Sequence, residues 1–146
     1  MITNVYEFNK NRNGLELDLV LELNMLREEI REFWDAVTVA ERLDALIDTE
    51  YTWFGTQMKA SYHTESIEVI APNIERSIKL MREFLKEELG GNYGKCYEEA
   101  KVIVCRANAL KSYKRDENGK VIKGDIENAT KSIALMIEAI TKPTNY

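Results

Sequence analysis

The stretch LELDLVLELNMLREEIREFWDAV, residues 15–37, decides the fold class. Its apolar residues Leu15, Leu19, Leu23, Leu26, Ile30, Phe33 and Val37 follow one another at steps of three or four, the repeat of one helical face, whereas a half-buried strand would alternate by two. A long amphipathic helix is therefore expected here. Immediately beyond it, Thr38-Val39-Ala40-Glu41 has the form of a capping box, in which a threonine hydroxyl and a glutamate carboxylate satisfy free groups at a helix start. A second helix should begin near Val39 and carry Leu43, Ile47, Tyr51, Phe54 and Met58 on its apolar stripe. The connection between the two is short enough that they should pack as an antiparallel pair.

Further along, residues 59–70 fit neither period cleanly and read as short helix or loop. Pro72 suits the first turn of a third helix, Ile74, Ile78, Met81 and Leu85 give it an apolar face, and Gly90-Gly91 supplies a left-handed stop. Tyr97, Ala100, Ile103, Val104, Ala107 and Leu110 mark a fourth helix. Asn118-Gly119 signals a turn within a hairpin or an irregular loop. Asp125 can cap a fifth helix with Ile126, Ala129, Ile133, Met136, Ile137 and Ile140, ending before Pro143. The expectation is an all-α bundle of four to five helices in one domain.

The composition agrees: 146 residues with 45% hydrophobic and 31% charged content suit one compact domain. Cys96 and Cys105 are nine apart with no CxxC, so neither a zinc site nor a disulfide framework is indicated. They read as small buried apolar residues in a cytosolic protein. The opening MITNVYEFNKNRNG lacks the apolar stretch of a signal peptide, and no run approaches the ~18 apolar residues of a membrane span. Membrane partners are not expected.

A net charge of −5 argues against a general grip on a nucleic-acid polymer, which needs clustered Lys and Arg. The charge is also polarised along the chain. Residues 22–50 hold nine acids against three bases, and residues 101–124 hold seven bases against two acids. At about 100° per residue, Glu29 and Glu32 lie on one flank of the first apolar stripe, with Glu28 further toward solvent. Asp44 borders the second stripe, with Asp48 and Glu41 a little further round on the same side. Two rows of carboxylates can thus face each other across the helix pair. Such a cluster repels itself and calls for something positive within it. An all-oxygen set suits magnesium or manganese better than zinc or copper, and a solvated acidic face is the alternative. A single histidine, His63, leaves too few for a Glu-x-x-His di-iron site, and Asp116-Glu117-Asn118-Gly119 lacks the spaced acids of a calcium loop.

The segment Leu26-Arg27-Glu28-Glu29-Ile30-Arg31-Glu32 resembles the L-x-E-E-x-x-E motif of the all-α nucleoside triphosphate pyrophosphohydrolases, which include MazG and the phosphoribosyl-ATP pyrophosphohydrolases. The segment Leu43-Asp44-Ala45-Leu46-Ile47-Asp48-Thr49-Glu50-Tyr51, whose Asp48 lies sixteen residues beyond Glu32, is similar, with Gly55-Thr56, to the D-A-L-x-D-x-x-Y…G-T form of the phage-type branch of that superfamily. Arg106-Ala107-Asn108-Ala109-Leu110-Lys111, followed by Asn118-Gly119-Lys120-Val121-Ile122-Lys123-Gly124, resembles its R-x-N-x-x-K…D-G-K-V-x-K-G tail. The resemblance covers residues 15–58 and 100–124 and treats about 59–99 as an extra helical insertion. It departs from the usual E-x-x-D pattern, because Ala45 stands three before Asp48; the upstream ligand is then Asp44, or the pair is Glu41 and Asp44.

The resemblance implies that Glu29, Glu32, Asp44 and Asp48 bind Mg2+, with Mn2+ as a substitute. It also implies that water attacks the α-phosphorus of a nucleoside triphosphate, giving the monophosphate and pyrophosphate. Glu28 is then the proton acceptor beside Glu29, and Arg106, Asn108, Lys111 and Lys123 contact the phosphates. A homodimer or homotetramer is implied too, and a cytoplasmic location, that of the host if the chain is phage-encoded. The rival readings are a non-catalytic helical module that binds a nucleotide or protein, and, within the enzymes, a phosphoribosyl-ATP step.

Overall fold

The computed structural model describes residues 18–61, 67–111 and 129–142, apart from the side chains of Leu110 and Lys111. Helix α1 spans Leu19–Asp35, α2 Val39–Ser61, α3 Ala71–Leu89, α4 Tyr93–Lys111 and α5 Ala129–Thr141, with a 3-10 turn at Gly90–Asn92 between α3 and α4. Among the described residues there is no strand. The chain is all-α, as its periodicity implies.

Local chemistry sets the helix ends. The Asp18 carboxylate accepts a hydrogen bond from the Leu21 N–H at 3.1 Å and caps α1. At the start of α2 the Thr38 hydroxyl accepts from the Glu41 N–H at 3.2 Å and donates to the Glu41 carboxylate at 2.9 Å, a variant of the expected capping box. Arg42 then donates to the Ala36 carbonyl at 3.0 Å, satisfying a group left over at the end of α1. Pro72 lies in the first turn of α3, and Gly90 ends that helix at φ 56°. That angle is left-handed, where glycine carries no Cβ penalty.

Helix α2 is central and packs against each of α1, α3, α4 and α5. Its buried surface is accordingly wider than the single stripe expected: Leu43, Ala45, Leu46, Ile47, Thr49, Tyr51, Trp53 and Thr56 are all buried, while Phe54 and Met58 are only partly so. Leu26 and Phe33 of α1 meet this helix in a core that also takes Ile74, Ile78, Met81, Leu85 and Leu89 of α3, Cys96, Ala100 and Val104 of α4, and Ile133 and Ile137 of α5. Each fully buried side chain of this size contributes about 1.5–3 kcal/mol. Helix α3 lies within the stretch read as an insertion, yet its Ile74, Ile78, Met81, Leu85 and Leu89 enter the shared core.

One expectation changes. Val37 is 84% exposed in the α1–α2 turn instead of extending the first stripe, because α1 stops at Asp35. Trp34 is half exposed, whereas Trp53 and Tyr51 are core. The uncertain stretch after Lys59 divides into a last turn of α2 to Ser61 and a turn at 67–70, where the Ile70 N–H bonds the Ile67 carbonyl at 3.1 Å. His63, Asn118-Gly119, Asp125 and Ile126 lie outside the described residues.

Candidate functional site: an acidic cleft between α1, α2 and α5

The antiparallel pairing of α1 and α2 sets their acidic flanks opposite one another, with the first turn of α5 alongside. A cleft of about 530 Å3 opens there, lined by Glu28, Arg31, Glu32, Asp35, Ala36, Glu41, Asp44, Ala45, Asp48 and Thr130. That size lies within the range of small-molecule sites. Thr130 donates to Asp44 Oδ2 at 2.9 Å and so ties the start of α5 to the central helix.

Glu29 is the electrostatic centre. Burial, then the charges of Asp48 and Glu32, hydrogen bonding to Glu32 and the charge of Asp44 push its carboxyl up to about 9. Three of the residues expected to bind metal therefore act on the fourth, Glu29, although Asp48 lies 16 residues beyond Glu32 in sequence. Glu29 Oε2 is sealed from solvent and has no hydrogen-bond partner among the described residues. A buried acceptor with no donor is uncommon and calls for a ligand or a proton. In kind, these carboxylates fit a hard divalent cation such as magnesium or manganese. Among the described residues, however, no group of three or more acidic, histidine or cysteine side chains is arranged to hold a metal ion as it stands.

Both candidates for the upstream position on α2 line the cleft: Asp44 contributes to the field at Glu29, and the Glu41 carboxylate accepts from Thr38 in the helix cap. Glu28 is exposed and lines the cleft. Tyr51, buried on α2, has its hydroxyl pKa raised by burial, then by hydrogen bonding to Cys105 and by the charge of Asp48.

The basic residues are placed less simply. Arg106 is exposed and Asn108 buried on α4, and neither lines the cleft. Lys111 is the last residue of α4, its side chain outside the description, and Lys123 lies outside the described residues altogether. Thr130, Asp35 and Arg31 line the cleft without having been singled out by the sequence. Asp35 and Arg31 follow from the same helical projection that selects Glu28 and Glu32, since each lies three or four positions from one of them. Nothing in the local pattern points to Thr130, which meets Asp44 across 86 residues. No protein-family model, curated protein or solved structure matches this chain.

Proposed function

We propose that the chain is a magnesium-dependent nucleoside triphosphate pyrophosphohydrolase, converting a ribo- or deoxynucleoside triphosphate to its monophosphate and pyrophosphate. The observation that supports this reading is the buried Glu29 carboxyl, one oxygen of which has no donor, within the field of Glu32, Asp44 and Asp48 beside an open cleft.

Glu29, Glu32, Asp44 and Asp48 are the residues that would hold magnesium or manganese. When bound, the ion would neutralise triphosphate charge and acidify a water molecule. The chain does the rest. Asp44 is oriented by the Thr130 hydroxyl, and Asp48 is flanked by the buried Tyr51. Glu28, at the open side, accepts the proton released as water adds to the α-phosphorus and the bond to the pyrophosphate leaving group breaks. Arg106, Asn108, Lys111 and Lys123 remain candidates for the phosphates, and the tail resemblance is their only support. Self-association into a dimer or tetramer belongs to the same reading and is favoured by the exposed Trp34, Leu80 and Phe84. Sedimentation velocity measures it.

The deciding experiment is pyrophosphate release from a panel of nucleoside triphosphates with magnesium or manganese, and again with excess chelator. Metal-dependent release of pyrophosphate and monophosphate is expected. Glu32→Ala and Asp48→Ala should each lower turnover by about a thousand-fold while retaining the helical circular dichroism of the wild type. Either variant at near wild-type rate removes the ligand assignment. The rival reading, a non-catalytic nucleotide-binding module, draws on the lack of a ready-made ligand group among the described residues. It predicts nucleotide binding without turnover under any metal.

A further inference from the structure

We propose that Arg31 is a guanidinium that grips the substrate's triphosphate inside the acidic cleft, a role that rests on the pyrophosphohydrolase reading. Six carboxylates line that cleft, and Arg31 is the one basic side chain among its described lining residues. On α1 it has Glu28 three positions before it, Asp35 four after it and Glu32 adjacent, all lining the same cleft. Any of these spacings but the last allows an ion pair along the helix. None forms: Arg31 makes no ion pair or hydrogen bond among the described residues.

Arg42 is committed to Glu88 and to the Ala36 carbonyl, and Arg82 to Glu50. The exposed Arg27, Arg76 and Arg106 are as uncommitted as Arg31 among the described residues, but none of them lines the cleft. Arg31 sits in the most acidic part of the protein with its five N–H donors uncommitted. The intrahelical pairs it forgoes are worth only ~0.2–0.5 kcal/mol each, so a ligand oxygen displaces little. A phosphate offers the guanidinium fork the same bidentate pairing as a carboxylate, but with higher charge and without the tether to the helix that constrains Glu28 and Asp35. The cleft otherwise repels a polyanion. The exposed Arg31 puts a positive charge among the lining acids and gives the triphosphate a point of attachment that does not depend on Lys111 or Lys123.

The test uses the full chain and inorganic tripolyphosphate as the probe. Tripolyphosphate binding in magnesium, and magnesium binding alone, are measured by calorimetry for wild type, Arg31→Ala and Arg31→Lys. Loss of a bidentate charge-assisted contact should weaken tripolyphosphate about ten-fold in Arg31→Ala, and lysine should restore part of the loss. Magnesium affinity should stay equal or rise, because a repelling charge is removed, and the urea midpoint should not fall. A merely structural arginine would lower the midpoint and leave tripolyphosphate affinity alone. Arg31→Ala binding tripolyphosphate within about two-fold of wild type, with wild type active on nucleotides, overturns this assignment and leaves the reaction standing. Wild type that neither binds tripolyphosphate nor releases pyrophosphate overturns both.

Discussion

Glu29 stands with its carboxyl pushed up to about 9, chiefly by burial and then by Asp48, Glu32 and Asp44. The sign of its effect on stability follows directly. Between the ordinary carboxylate range and about 9, the folded metal-free protein holds a proton on Glu29 that the unfolded chain has lost. Stability in chelator therefore falls as pH rises through this window, by at most about 1.4 kcal/mol per pH unit from this group. Glu29→Gln keeps the neutral shape and removes the titration. It should match wild type near pH 5 and become progressively more stable than wild type toward pH 9, read from urea midpoints in chelator. Parallel profiles for the two proteins would show that Glu29 is not held neutral. The placement of Glu29 beside Glu32 was legible in the sequence, because a 100° projection fixes which residues share a flank. The lack of a donor at its Oε2 was not. That depends on what α2 and α5 bring against it, and no local pattern encodes such contacts.

At the scale of elements, two polar bolts hold the central helix, and neither was visible in the sequence. Near the start of α1, Glu22 is buried against α2, accepting from Lys59 Nζ at 2.6 Å and from the Thr56 hydroxyl at 2.8 Å. On the other side, buried Glu50 accepts from Arg82 of α3 and from the Tyr97 hydroxyl of α4 at 2.9 Å. Glu22 and Glu50 counted only as members of an acidic window, because the pairings span 37 and 32 residues. Helix existence and type were legible from period and caps. The depth of burial round α2 was not, since it follows from four neighbours that a single stripe does not reveal. The Glu22–Lys59 pair makes a sharp expectation. Lys59→Met strands a carboxylate in an apolar setting and should destabilise by about 3–5 kcal/mol, whereas adding Glu22→Leu should recover much of the loss. Chemical denaturation of the two variants measures it. Equal stability of the single and double variants would mean the charges are not coupled.

Across the whole molecule the charge distribution conflicts with stability at the cleft, where six carboxylates and one arginine face one space. Hydrophobic packing in the α1–α2 pair holds those acids together against their repulsion, and the repulsion is what a divalent cation would relieve. Two sources of relief are separable. Screening by salt acts on exposed charges and depends on ionic strength alone, whereas binding at a site depends on the identity of the ion. A ligand that binds only the folded chain raises stability by about 2.7 kcal/mol at a hundred times its Kd. Magnesium at millimolar concentration should therefore raise the melting temperature well beyond sodium at equal ionic strength. Asp48→Asn should start from a higher melting temperature than wild type in chelator, since one repelled charge is gone, and should lose most of the magnesium-specific increment. Sodium reproducing the whole rise would reduce the cleft to a screened acidic face. An unchanged increment in Asp48→Asn would place the ion elsewhere on the protein.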